Sequence, residues 1–119
     1  MVDGREGAAR PEDLTRLFAE RAKAKDAEGL ASLYEDDAVL AFPPGQMTHG
    51  RAAIRALYEK MLAQAPEFEP EAPLPSVIMG DLALTATVAK DEAVARAQVA
   101  RRQPDGTCLR ILDRPDFRA

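Results

Sequence analysis

The sequence predicts a single α+β domain, with helices in the first half of the chain and antiparallel strands in the second. Three observations carry this. Before Pro66, apolar residues recur at helical spacing in three segments. After Gly80 the apolar period changes to two, the signature of a half-buried strand. Near the C-terminus, Pro104-Asp105-Gly106-Thr107 supplies a hairpin turn between two further apolar runs. Helices first and paired strands after is the α+β pattern. A length of 119 residues suits one domain, which at that size buries roughly two-thirds of the surface its unfolded chain exposes.

Residues 1–9 carry charges and glycines and read as a mobile tail, with residues 10–119 as the single domain. The first helix is expected to start near Pro11, where a missing N–H costs nothing, with Leu14, Leu17, Phe18 and Ala22 on its buried face. Asp26 is a good N-cap for a second, shorter helix whose apolar stripe is Leu30, Leu33 and Tyr34. Gly29 within it lowers its intrinsic stability by about 1 kcal/mol relative to alanine, so packing must hold it. Ala38 to Phe42 reads as a short buried strand ended by Pro43, Pro44 and Gly45. Gly50 opens a third helix, with Ile54, Leu57, Tyr58, Met61, Leu62 and Ala65 on one face, and Pro66 ends it.

From Pro66 to Pro75, four prolines among acidic residues suit an edge segment or loop. Leu82, Leu84, Ala86 and Val88 then alternate with Ala83, Thr85 and Thr87. The strand expected over Ala93–Arg102 has one smooth apolar face (Ala93, Ala95, Ala97, Val99) and one mixed face (Val94, Arg96, Gln98, Ala100), and apolar logic buries the first. Cys108 to Asp113 returns as the second arm of the hairpin. Leu109, Ile111 and Asp113 share one parity there, so if the two aliphatic side chains face the core the carboxylate follows them.

Composition excludes several function classes. The 46% hydrophobic and 30% charged fractions are those of a globular chain. Sixteen basic against twenty acidic residues, a net charge of −4, leave no field to hold nucleic acid. One cysteine, Cys108, forms no internal disulfide, and no metal-ligating spacing is present, so neither a metal nor a cofactor is expected. The N-terminus lacks the apolar stretch of a signal peptide, and no run approaches the ~20 apolar residues that span a bilayer; a cytoplasmic protein is expected.

LYEDDAVLAFPPG, then HGRAAIRALYEKML, GDLALTATV and VARRQPDGTCLRILDRPDF together resemble the SnoaL-like branch of the nuclear transport factor 2-like superfamily, from about Leu14 to Phe117. The acidic pair before the apolar strand and the Gly-Arg-x-x-Ile helix start are its most specific pieces. The resemblance implies a cone-shaped, strongly curved antiparallel sheet wrapped around the three helices, with a small-molecule pocket at the open end and pairing of two copies through the sheet. Relatives of this kind include ketosteroid isomerases, polyketide cyclases and limonene epoxide hydrolases, and fold alone does not choose among them.

Laid on a ketosteroid isomerase, the chain has Phe18 at the tyrosine position, Phe42 at the base and Gln98 at the protonated carboxyl. That chemistry is disfavoured, because neither phenylalanine transfers a proton. Asp113 is then the leading acid–base candidate and His49, the lone histidine, the second; the bland readings are a surface ion pair with Arg114 and a loop residue before a helix. Phe18, Phe42, Tyr58 and Gln98 are expected to shape an apolar pocket. The family placement turns Gln98 and hence Arg96 inward, where Arg96 would bind an anionic group. The function expected is binding of an apolar small molecule with acid–base chemistry of the cyclase, isomerase or hydrolase type. The alternative is a non-catalytic ligand-binding or dimerisation module of the same fold, and a peptide-binding module like the transport factor itself ranks below both.

Overall fold

The computed structural model describes residues 5–64, 72–88 and 95–117. Helix α1 spans Asp13–Lys23, α2 Ala27–Ala31 and α3 Arg51–Gln64; strands β1 to β6 span Tyr34–Leu40, Thr48–His49, Val77–Met79, Leu82–Val88, Ala95–Arg102 and Cys108–Phe117. The six strands form one sheet in the order β2-β1-β6-β5-β4-β3. All neighbours pair antiparallel except β1 and β6, which run parallel. Among the described residues, no helix is long and apolar enough to cross a membrane.

Local chemistry explains most element boundaries. The Asp26 side chain accepts a hydrogen bond from the Gly29 N–H and caps α2. Burial alone would raise the Asp26 carboxyl, but hydrogen bonds from Arg5 and Gly29 hold it below the usual carboxylate range. Helix α2 stops at Ala31, one turn earlier than the stripe implied, and Tyr34 opens β1 instead of closing the helix. The cause is tertiary: the Leu33 carbonyl accepts from the Arg110 N–H, which draws this segment into the sheet beside β6. In the hairpin turn, Gly106 sits at φ 90°, a conformation that side-chain-bearing residues rarely adopt, and Asp105 accepts from the Thr107 N–H and hydroxyl.

The Gly50-Arg51 start of α3 has a specific task. Gly50, at φ 89°, donates to the Ala38 carbonyl, and Arg51 reaches back to β1 with two hydrogen bonds to the Tyr34 carbonyl and an ion pair of 2.8 Å to Asp36. Asp36 of the acidic pair and the helix start are therefore two halves of one clamp that holds β1 against α3.

The core lies between the helices and one face of the sheet. Leu14 and Leu17 of α1, Leu30 of α2, Leu33, Leu40 of β1, and Ile54 and Leu62 of α3 meet there and are buried. Burying each such side chain stabilises by about 1.5–3 kcal/mol. Two rows of paired residues cross the inner face. Tyr34, Arg110, Ala100 and Ala83 form one; Leu40, Asp113, Gln98 and Thr85 form the next, and all eight are buried.

Several expectations change. Residues 5–9 are not a free tail: Ala8 is buried and bridges to Cys108, Arg5 pairs with Asp26, and the Glu6 carbonyl accepts from Arg21. Strands β2 and β3, the latter just after the expected edge or loop segment, were not anticipated; each is too short to show a period. On β4 it is Ala83, Thr85 and Thr87 that face inward, while Leu84 and Val88 are exposed. The helix stop at Pro66, most of the proline-rich segment, tail residues 1–4 and the strand start at Ala93 lie outside the described residues.

Candidate functional site

Strand β6 carries the centre of the site, and a bulge decides its geometry. Val99 pairs with Leu112 and Ala100 with Arg110, so Ile111 is an extra residue in β6. Without it, Arg110 and Asp113 would point to opposite faces. With it, both turn inward, 4% and 5% exposed, while Leu112 between them is 50% exposed on the outer face. The shared parity of Leu109, Ile111 and Asp113 therefore does not exist in the fold: Cys108, Arg110 and Asp113 are the buried set, and Leu109 and Ile111 are only half-buried.

Asp113 lies in a fully buried polar cluster. The Tyr34 hydroxyl donates to Asp113 Oδ2 at 2.5 Å, and the Tyr58 hydroxyl lies 2.9 Å from that of Tyr34. Since Tyr34 gives its proton to the carboxylate, Tyr58 must donate to Tyr34. Arg110 Nη1 stands 3.7 Å from Asp113 Oδ2, an ion pair without a close hydrogen bond. The guanidinium carbon lies 5.3 Å from the centre of the Phe18 ring and 5.9 Å from that of Tyr34, both within cation–π range. Phe18 in turn meets Tyr58 edge-to-face at 5.7 Å.

The electrostatics follow from burial. Removal from water, then the nearby Asp113 carboxylate, pushes the Tyr34 hydroxyl well above the ordinary tyrosine range, and the same two causes push Tyr58 up. Burial works against the charge on Arg110, but the oxygens of Tyr34 and Asp113 outweigh it, and the guanidinium holds its proton more tightly than usual. Two atoms in the cluster stand without a hydrogen-bond partner among the described residues: Asp113 Oδ1 and Arg110 Nε. Each is an unsatisfied polar atom inside the protein, which costs about 1–3 kcal/mol or more for a charged group.

The sequence-derived candidates divide clearly. Asp113, Tyr58 and Phe18 come together. Gln98 faces inward beside Asp113, as the family placement and not the apolar pattern required, and its side chain accepts from the Thr85 hydroxyl at 2.7 Å. Phe42 is half-buried against the core. Arg96 is half-buried and donates to the Pro115 carbonyl. His49 does not join the cluster: it is exposed on β2 and pairs with Val39, which pairs with Leu112, so it lies in the outer-face row. The inner face of the sheet is also less apolar than the expected pocket lining, since Thr85, Thr87 and Gln98 are buried there. Tyr34 and Arg110 were missed. Tyr34 read as part of a helical stripe, and Arg110 sat on the face that a regular alternation assigns to solvent.

A separate cavity of about 840 Å³ lies between the N-terminal segment, α2, the start of α3 and the β5–β6 turn, lined by residues that include Arg5, Arg21, Arg51, Arg55, Glu28 and Asp36. Its charges answer one another through pairs such as Arg5–Glu28, Arg51–Asp36 and Arg55–Glu28, and no member of the Asp113 cluster lines it.

No curated protein sequence matches the chain. Solved structures do. A candidate calcium/calmodulin-dependent protein kinase type II association domain from Thiobacillus denitrificans superposes with a TM-score of 0.74 at 18% identity, covering 95% of this chain and 100% of that one. A ketosteroid isomerase-like protein from Erwinia carotovora atroseptica gives 0.70 at 15% identity, covering 87% and 89%. A nuclear transport factor 2-like protein with a cystatin-like fold from Novosphingobium aromaticivorans gives 0.64 at 21% identity, covering 87% and 76%. At these identities the likeness shows the shared fold alone. The SnoaL-like domain model matches residues 14–113, from the first buried leucine of α1 to the buried aspartate of β6, and the chain belongs to that family.

Proposed function

We propose that this SnoaL-like protein binds a small molecule against the inner face of the sheet and uses Asp113 to move a proton on it. The observation that carries this reading is the asymmetry of the carboxylate. One oxygen is fixed by Tyr34, whereas the other, also buried, has no hydrogen-bond partner among the described residues. An ion pair serving stability alone would leave neither oxygen bare, because the orphan is destabilising. A held carboxylate with one open oxygen is what a general acid–base group requires.

The other residues take supporting parts. Tyr34 orients Asp113, and Tyr58 orients Tyr34. Arg110 balances the carboxylate charge so that it tolerates the dry interior. Phe18 covers the guanidinium, and Gln98 lies beside the carboxylate on the adjacent strand. The reaction class is proton transfer of the isomerase, cyclase or hydrolase kind. The ketosteroid isomerase-like likeness supports the class but not the steroid reaction, since Phe42 stands where that reaction needs its base.

The test is proton exchange. Neutral aryl ketones such as phenylacetone are incubated with the protein in D2O, and loss of the α-proton signal is followed by NMR. Exchange above background is expected, falling by about 100-fold or more in Asp113→Asn and unchanged in the exposed Asp37→Asn. Equal rates in the wild type and Asp113→Asn would remove the proposal.

Pairing through the outer face of the sheet is proposed alongside. Val77, Leu84, Val99 and Leu112 line up across β3, β4, β5 and β6, and three of them are at least 48% exposed. A contiguous apolar row of this kind marks an association surface. Cys108, buried and unpaired, suits the reducing conditions of the cytoplasm.

A further inference from the structure

The charge balance of the Asp113 cluster restricts what it can accept. Asp113 and Arg110 cancel, and Tyr34 and Tyr58 are neutral with their ionisation pushed up. The other buried charge among the described residues, Arg21, turns toward α2 and the N-terminal segment, where it donates to the Gly29 carbonyl and the Ser32 hydroxyl. An incoming ion therefore finds no uncompensated countercharge in the cluster and would add a buried charge of its own, which is costly.

The two orphaned atoms are of opposite type. Asp113 Oδ1 can only accept, and Arg110 Nε–H can only donate. An anion would satisfy Arg110 and face the bare carboxylate oxygen; a cation would do the reverse. A neutral group that carries both a donor and an acceptor can satisfy both. Resting on the reading of Asp113 as the centre of the site, we propose that the ligand recognised there is uncharged and presents both a donor and an acceptor, as a carboxamide or a hydroxy ketone does. The donor goes to Asp113 Oδ1 and the acceptor to Arg110 Nε–H. Arg110 is then a recognition residue, its guanidinium held between the Phe18 and Tyr34 rings. Arg96, which the sequence suggested for an anionic ligand, donates instead to the Pro115 carbonyl.

Three probes of nearly the same shape test this: benzamide, benzoate and benzamidine. The chain has two tyrosines and no tryptophan, and both tyrosines belong to the cluster. Ring-labelled tyrosine signals therefore report binding there directly by NMR. In the wild type, benzamide should shift both signals and bind at least about tenfold more tightly than either ion. In Asp113→Asn the order should move toward benzoate by about tenfold, and in Arg110→Gln toward benzamidine by a similar factor. If either ion binds the wild type as tightly as benzamide, or if none of the three shifts a tyrosine signal up to its solubility limit, the inference is overturned. The wild-type order decides alone should a variant fail to fold. Selective benzamide binding without ketone exchange would sink the catalytic proposal and leave this one standing; exchange that depends on Asp113 with no preference among the probes would do the opposite.

Discussion

Tyr34 and Tyr58 hold protons that their unfolded counterparts would release near pH 10, because burial and then Asp113 raise both hydroxyls in the folded chain. The sign follows from linkage: above about pH 10 the unfolded state loses protons that the folded state keeps, so stability falls as pH rises. Below that pH the contribution is fully present. Thermal melts should therefore be flat from pH 8 to about 10 and decline beyond it, and absorbance at 295 nm should show no tyrosinate before unfolding begins. A smooth titration of either tyrosine near pH 10 in the folded protein would contradict the burial. Arg110 yields a second prediction. Arg110→Met leaves the Asp113 carboxylate buried without its countercharge and should cost about 3–5 kcal/mol in chemical denaturation. Replacing both, as Arg110→Met with Asp113→Leu, should recover most of that loss, since two apolar side chains leave no buried charge behind.

Helix α2 shows how far a short element can be read from its own residues. Its five residues are too few to stand alone, and the Asp26 cap, also tied to Arg5, is legible in sequence because it is local. Asp26→Ala should destabilise the fold by about 1 kcal/mol, measured by urea unfolding, whereas Asp26→Asn should retain most of the cap. Strand β6 is the contrasting case. Its sequence alternates as a regular strand does, yet the extra residue at Ile111 changes which side chains face in. Regular alternation turns Asp113 inward beside Leu109 and Ile111, the wrong neighbours, and sends Arg110 outward. A bulge is a property of two paired strands, and no pattern within one strand records it. The faces of β4 and β5 were ambiguous for a related reason. Alternation shows that two faces exist, but it names the inner one only if burial always takes the more apolar set. Here Thr85, Thr87 and Gln98 are inside and Leu84 and Val88 outside.

That inversion bears on assembly. Leu84, Val88 and Leu112 turned outward while Thr85, Thr87 and Gln98 turn inward is the pattern expected of a sheet whose outer face is covered by another copy. The row through Leu84 and Leu112 should therefore control oligomeric state: light scattering is expected to give a dimer for the wild type and a monomer for Leu84→Asp, with the tyrosine signals of the inner cluster unmoved. A wild-type monomer at high micromolar concentration would refute this. The resemblance from Leu14 to Phe117 led to the family, and the match over residues 14–113 agrees with it. By itself the sequence determined the order of the three helices and the longer strands, the turn and cap chemistry, and Asp113 as a candidate, since these depend on residues near one another along the chain. Only the tertiary structure decided which strand faces are buried, that Tyr34, Tyr58 and Arg110 close around Asp113, and that His49 stands on the opposite face. Those outcomes arise from strand register and packing between segments up to 79 residues apart, as in the Tyr34–Asp113 bond.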